Sequence, residues 1–273
     1  MTRTLRITTR NATFQQWQAL LTNRTKRQRA GEFLVQGVRP ISLAVEHGWR
    51  IRTLVHPDGA TGSRWARDLL DRVDATRVAM AGELLRELGG KDEEAPELLA
   101  VVELPADRLD RIPLRADELV LVFDRPTTPG NIGTMVRSAD AFGAAGVIVT
   151  GHAADPYDPK AVRASTGSLF AVPVVRVPSH REVLDRVGAA RESGVPVTVV
   201  GTDENGDVDI AAHDLTGPTV LVVGNETHGI SAAWRESCDR TVRIPITGAA
   251  SSLNAATAAT VALYEAARQR SRR

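Results

Sequence analysis

The chain has 273 residues, 42% hydrophobic and 25% charged, which is the composition of an ordinary globular protein with room for two domains or one large one. Thirty-four Lys and Arg stand against 33 Asp and Glu, a formal net charge of +1, so the chain is not uniformly basic. Aromatic residues make up only 4%, which argues against a base-stacking platform of the kind single-strand binders use.

The single cysteine, Cys238, excludes an internal disulfide framework and a cysteine zinc cluster. The six histidines are scattered without helical or hairpin pairing, so no metal site is expected. No apolar run is long enough to cross a bilayer. Residues Met1 to Arg6 lack the apolar stretch of a secretion signal, and the expected compartment is the cytoplasm. The near-zero net charge hides an asymmetry. Between Met1 and Arg52 ten Lys and Arg face only Glu32 and Glu46, whereas Gly82 to Asp110 carries nine acids and three bases. A basic face of this kind, with Arg24, Lys26, Arg27, Arg29 and Arg39, points to a polyanion such as RNA. A solvated arginine-rich helix is the plainer alternative.

In chain order, Asn11 to Thr25 is predicted as one helix, with Phe14, Trp17, Leu20 and Leu21 at helical spacing and Asn11 as cap. The basic cluster Arg24 to Arg29 follows, then a short strand at Phe33 to Val35. A second helix runs from Val38 to His47 and stops at Gly48. A strand at Ile51 to Val55, helices at Trp65 to Val73 and Gly82 to Leu88, and a strand at Leu98 to Glu103 complete a first α/β unit. The reading assigns residues 1–106 to this unit, 107–116 to a polar linker with Pro113, and 117–273 to a second domain.

There the alternation restarts. Strands are predicted at Leu119–Phe123, Gly146–Thr150, Val172–Val177, Val197–Gly201, Thr219–Val223 and Val242–Ile246. Helices are predicted at Ile132–Phe142, Pro159–Thr166, Glu182–Glu192, Ala232–Ser237 and Leu253–Arg270. Continuous Val, Ile and Leu runs alternating with helices indicate an α/β fold whose parallel sheet is covered on both faces.

Three patches follow strand-like runs: Asp124 to Arg137, Val223 to Gly229, and Ile244 to Asn254. Loops at strand C-termini are where open α/β sheets bind ligands, so three of them suggest one composite site. In the first, Asn131 and Gly133 lie near a helix start, where free N–H groups favour an anion. Arg137 lies off the apolar stripe of that helix and is a candidate grip for a phosphate or carboxylate. In the second, Gly224 is expected to let a ligand approach the backbone, and Glu226 to bind a hydroxyl or amine. In the third, Ser251-Ser252 is expected to cap a helix with Asn254 in its first turn. Taken singly, each is also an ordinary turn or cap. No G-x-G-x-x-G follows the first strand, no Walker A motif exists, and no Gly-x-Ser-x-Gly elbow occurs.

The three patches resemble, in order and spacing, the signature motifs of the SpoU (TrmH-type) RNA ribose 2′-O-methyltransferases of the SPOUT superfamily. The first hundred residues resemble that family's L30e-like RNA-binding domain, through Phe33-Leu34-Val35-Gln36-Gly37-Val38-Arg39, with Gln36 where the family commonly has Glu. The resemblance implies a C-terminal trefoil knot, a homodimer through the C-terminal domain, and S-adenosyl-L-methionine as cofactor. It implies a cofactor pocket including Thr202, Gly224, Ile244 and Leu253. It implies catalytic positions at Asn131, Arg137, Glu226, Ser252 and Asn254, and a substrate-facing Arg163. Arg137 would act either as base or as electrostatic stabiliser. The implied partner is 23S rRNA, with a uridine ribose as target and resistance to a ribosome-targeting antibiotic such as avilamycin as consequence. A tRNA or other rRNA ribose methyltransferase is the alternative, and a non-catalytic RNA-binding protein is the alternative of another class.

Overall fold

The computed structural model describes residues 5–59, 62–90, 95–225 and 227–272. The chain divides into two compact units, Met1–Pro105 with Tyr157–Ala171, and Ala106–Pro156 with Val172–Arg273.

In the first unit the described strands are β1 (Leu5–Ile7), β2 (Glu32–Gln36), β3 (Ile51–Pro57), β4 (Thr76–Met80) and β5 (Leu99–Glu103). They form one sheet in the order β1-β4-β3-β5-β2. The pairs β1–β4 and β3–β4 are parallel, whereas β5 is antiparallel to both β2 and β3. Phe14, Trp17, Leu20, Leu34, Val55, Leu88 and Leu99 share a buried cluster on this sheet.

The long first helix of the prediction is two helices, α1 (Ala12–Thr22) and α2 (Arg24–Ala30). Asn11 caps the first by accepting from the Phe14 amide. Asn23 breaks the run with an extended backbone, and its side chain accepts from the Lys26 amide to start α2. A short polar side chain that competes for backbone N–H groups stops one helix and caps the next. Helix α2 therefore carries the basic cluster on a rigid support, and Gly31 closes it in the left-handed conformation. Strands β1 and β4 were not foreseen. Three residues are too few to show a period, and Thr76–Met80 carries an arginine, Arg77, at its second position.

The segment after Pro156 is read from sequence as part of the second domain, yet it packs within the first unit. It carries α7 (Pro159–Ala164) and α8 (Ser168–Ala171). Phe33 meets Tyr157 at 5.0 Å and Phe170 at 6.2 Å, and the Trp49 ring lies edge-on to Phe170 at 5.1 Å. The Trp49 indole also donates to the Phe170 carbonyl at 3.0 Å. Arg27 is the polar part of this packing. It is 1% exposed, donates to the Leu20 carbonyl at 2.6 Å and lies 3.5 Å from the Asp158 carboxylate.

In the second unit β6 (Leu119–Asp124), β7 (Gly146–Thr150), β8 (Val174–Val177), β9 (Thr198–Thr202), β10 (Val208–Asp209), β11 (Thr219–Val223) and β12 (Arg240–Arg243) pair as one sheet. Its order is β10-β12-β9-β11-β6-β7-β8, and each pairing is parallel. Helices α6 (Pro129–Ala141), α9 (His180–Glu192), α10 (Ala232–Ser237) and α11 (Ala255–Arg270) accompany it. Val120, Val122, Val199, Val220 and Val222 are buried with Trp234 on one side of this sheet. Parallel strands covered on both faces need such unbroken aliphatic runs.

Helix α11 lies against α6, with Ser138 and Thr260 hydroxyls 2.7 Å apart and the rings of Phe142 and Tyr264 at 5.9 Å. Its buried alanines at 255, 256, 259, 262 and 266 permit close packing. Arg270 pins its far end by donating to the carbonyls of Leu215, Gly217 and Asp117. No helix among the described residues is long and apolar enough to cross a membrane.

The buried Arg27 yields a stability prediction. Arg27→Met removes the cation and leaves the Asp158 carboxylate and the Leu20 carbonyl short of partners, at a cost of about 2–3 kcal/mol. Urea unfolding of the two proteins measures this, and equal midpoints with equal slopes would contradict it.

Candidate active site

The ends of β9, β11 and β12 open onto a cavity of about 810 Å³. Its lining includes Thr202, Gly224, Ile244 and Leu253, the four positions that the resemblance implies for the cofactor, and Ser252 from the implied catalytic positions. Thr202 closes β9, and its hydroxyl donates to the Val222 carbonyl at 3.2 Å, leaving the oxygen able to accept. Ile244 and Leu253 are half-buried at either end of the third loop. Two ion pairs edge the cavity, Arg235 with Asp203 and Arg243 with Asp209, each at 2.6 Å.

Three expectations change in detail. Strand β12 stops at Arg243 and does not reach Ile246, since Pro245 has no N–H to continue a ladder. The cap of α11 is Asn254, not Ser251-Ser252. The Asn254 backbone is non-helical, at φ −53° and ψ 139°, and its side-chain oxygen accepts from the amides of Ala256 and Thr257. Ser251 and Ser252 are therefore exposed loop residues at the lining of the cavity. Gly224, finally, is needed for its own chain. A Cβ there would lie 1.9 Å from the Gly229 carbonyl carbon and 2.1 Å from the Ile230 nitrogen.

Asn131 and Arg137 lie on α6, and neither lines the cavity. Asn131 is half-buried and meets the cap of α11, whose Asn254 amide donates to its side-chain oxygen at 3.4 Å. Arg137 is exposed two turns further along. Glu226 lies outside the described residues. In the first unit Arg24, Lys26 and Arg29 are exposed on α2, and Arg163 is exposed on α7. Arg39 is exposed as well, with its Nε donating to the Thr166 carbonyl at 3.2 Å. Arg27 departs from the reading as an RNA contact, because its guanidinium is buried in the packing described above.

Sequence reasoning missed the group that organises the loops. Asp124, at the end of β6, is 3% exposed. Its carboxylate accepts from the Thr150 hydroxyl at 3.1 Å, the Ser231 amide at 2.8 Å and Arg125 Nε at 3.0 Å. Asn225, also buried, donates to the Arg125 carbonyl at 3.2 Å and accepts from the amides of Thr227 and His228. A buried carboxylate is tolerable only when its lone pairs are filled. The signal available in the sequence was the polar pair Asp124-Arg125 at the end of a wholly apolar strand.

The chemistry on offer is polar and electrostatic. Burial, helped by Asp239, pushes the Cys238 thiol up to about 12, so it is no thiolate nucleophile. Among the described residues no cluster of three His, Cys, Asp or Glu could hold a metal ion. The arrangement suits binding and alignment of an organic ligand at strand ends.

Comparison with known proteins agrees with this geometry. Residues 118–264 match the model of the SpoU rRNA Methylase family, and residues 11–100 match the SpoU L30e-like domain. The chain belongs to the SpoU rRNA methylase family. It is 65% identical over 265 residues to the 23S rRNA (uridine(2479)-2′-O)-methyltransferase of Streptomyces viridochromogenes, covering 97% of this chain and 92% of that one. The crystal structure of the SpoU methyltransferase AviRb from Streptomyces viridochromogenes, in complex with the cofactor AdoMet, superposes with a TM-score of 0.92. There the identity is 65%, and the match covers 96% of this chain and 98% of that one. An AdoMet-bound rRNA methyltransferase from Sinorhizobium meliloti is 30% identical with a TM-score of 0.85, covering 97% and 98%.

The SpoU-family loop at Gly224 is the sharpest packing constraint. Gly224→Ala forces a methyl into backbone that has no flexible end to yield, so the second loop must move. We expect a destabilisation of about 2 kcal/mol or more together with loss of ligand binding at the cavity. Thermal unfolding and calorimetric titration with S-adenosylhomocysteine check this, and a variant that melts and binds like wild type would contradict it.

Proposed function

We propose that this chain methylates a ribose 2′-hydroxyl in 23S rRNA, most naturally of a uridine, using S-adenosyl-L-methionine. One observation carries the reading. The four positions expected to hold the cofactor, Thr202, Gly224, Ile244 and Leu253, line a single cavity at the strand ends. The 65% identity to a 23S rRNA uridine 2′-O-methyltransferase supports the substrate class.

The residues present suit such a group. Ile244 and Leu253 offer apolar surface for a purine, and the backbone of the loops after β9, β11 and β12 offers N–H and C=O groups for its edge. When bound, the cofactor supplies an electrophilic methyl group, and the protein supplies alignment. The part of this chain is to hold the ribose and manage its proton. An arginine stays charged in proteins, so Arg137 is best suited to grip a phosphate and stabilise a developing alkoxide. Asn131 and Asn254, which meet side chain to side chain, and Ser252 supply neutral hydrogen-bonding groups. Glu226 keeps the catalytic role implied by its motif.

Arg137 does not line its own chain's cavity, which favours a homodimer in which it serves the neighbour's site. The exposed side chains of Val261 and Tyr264 on α11 support pairing through this domain. The trefoil knot belongs to the same reading and rests on family membership. The exposed Arg24, Lys26, Arg29, Arg39 and Arg163 form the basis for binding rRNA phosphates, in the cytoplasm where ribosomes are assembled. Resistance to a ribosome-targeting antibiotic is the expected consequence of the modification.

Labelled-cofactor transfer to purified 23S rRNA, with tRNA as comparison, tests the proposal. Label in tRNA alone, or in neither, would overturn it. Arg137→Ala is expected to lower methyl transfer by at least about a hundredfold while leaving cofactor affinity within about twofold. Near wild-type turnover would remove Arg137 from the site. Binding to 23S rRNA should weaken by at least about tenfold between 50 and 200 mM salt, as counterion release requires. A flat salt dependence in a filter-binding assay would reject the basic face.

A further inference from the structure

We propose that Arg125 is a positioning residue, held in a left-handed backbone conformation so that its guanidinium clamps the carbonyl of Gly229 and fixes the second loop as the cavity wall. The proposal rests on the cofactor-site reading for its effect on affinity, while the clamp itself stands on geometry.

Arg125 has φ +51°, a conformation in which any side chain crowds its own backbone. Glycine would be the economical residue there. Three observations point to the side chain as the reason for arginine. Its Nη2 donates to the Gly229 carbonyl at 3.3 Å while Nε donates to Asp124 at 3.0 Å, so one guanidinium joins the end of β6 to the second loop. Gly151, at φ +73°, leaves room for the stem, since a Cβ on it would lie 2.8 Å from Arg125 Cγ. Gly229, which also has positive φ, forms a lone antiparallel bridge with Asn225 and lines the cavity.

The backbone of Arg125 contributes separately. Its amide donates to the Thr150 carbonyl at 3.0 Å, and its carbonyl accepts from Asn225 at 3.2 Å. A glycine at 125 keeps both of these bonds, relieves the left-handed strain and removes the two guanidinium bonds, one to Gly229 and one to Asp124, whose carboxylate keeps Thr150 and Ser231. Stability and ligand binding therefore separate in this variant, which a purely scaffolding residue would not allow. Arg125 touches neither the cavity nor the reacting atoms, and acts through Gly229.

The test compares wild type, Arg125→Gly and Arg125→Lys as full chains. Thermal unfolding, hydrogen–deuterium exchange over residues 227–231 without cofactor, and calorimetric affinity for S-adenosylhomocysteine are measured on each. We expect Arg125→Gly to melt within about 2 °C of wild type, because strain relief offsets the lost bonds. Its loop amides should exchange faster. Its affinity should fall about fivefold, a charged hydrogen bond discounted for the exposed part of the side chain. Arg125→Lys, which keeps the charge but not the fork, should recover part of the loss. Wild-type exchange and affinity in Arg125→Gly would overturn the proposal, as would a loss of binding that merely tracks a lower melting temperature. Failure of the wild-type chain to bind S-adenosylhomocysteine would overturn the cofactor reading instead, and the exchange measurement would still decide the clamp.

Discussion

The buried carboxylate of Asp124 is the interaction on which the geometry of the second unit turns. It gathers the Thr150 hydroxyl from β7, the Ser231 amide from the loop after β11 and the neighbouring Arg125, all at the end of the interior strand β6. Each of these groups is polar and sits where the sheet's aliphatic core ends. In water each would be satisfied separately. Asp124 and Thr150, withdrawn from water, can be satisfied only within the protein, and that requirement brings together loops that are a hundred residues apart in sequence. Asn225 adds a second tie through the Arg125 carbonyl, and Trp234 reaches the Thr150 hydroxyl at 3.4 Å from the core side.

From this constraint the cavity follows. Gly224 abuts Gly229 and Ile230 so closely that no side chain fits, so the second loop folds back on itself at the mouth of β11. Asn254 then starts α11 from the third loop and reaches Asn131 on α6. Arg270 locks the opposite end of α11 against the segments that precede β11 and β6. A ligand at the strand ends thus meets walls fixed from both directions, which is what alignment of a weak nucleophile requires.

Much of this was legible in the sequence, for physical reasons. Val and Ile runs such as Thr219–Val223 and the turns after them announce a parallel sheet with ligands at its strand ends, and the spacing of the three patches carried the family resemblance. What was not legible depended on contacts across the chain. Nothing local distinguishes Arg27 from Arg24 or Arg29, yet Arg27 is buried with Asp158 and the Leu20 carbonyl beside it. Residues 157–171 read as a continuation of the second domain, and only the aromatic surfaces of Phe33 and Trp49 reveal where they pack. Gly224 suggested a ligand at close quarters, and it lines the cavity, but its backbone neighbours Gly229 and Ile230 add a constraint that no local signal showed. The serines at 251 and 252 offered a plausible cap, but the helix begins three residues later, where the asparagine oxygen reaches two amides.

Asp124 assembles the loops, and the assembled loops serve ribose methylation of rRNA. One measurement addresses both: mass spectrometry of 23S rRNA ribose methylation after incubation with cofactor and either wild type or Asp124→Asn. The variant keeps the size of the side chain but turns one acceptor into a donor facing other donors. The account predicts a single new 2′-O-methylated nucleotide with wild type and its loss with Asp124→Asn. No methylation by wild type, or undiminished methylation by the variant, would contradict it.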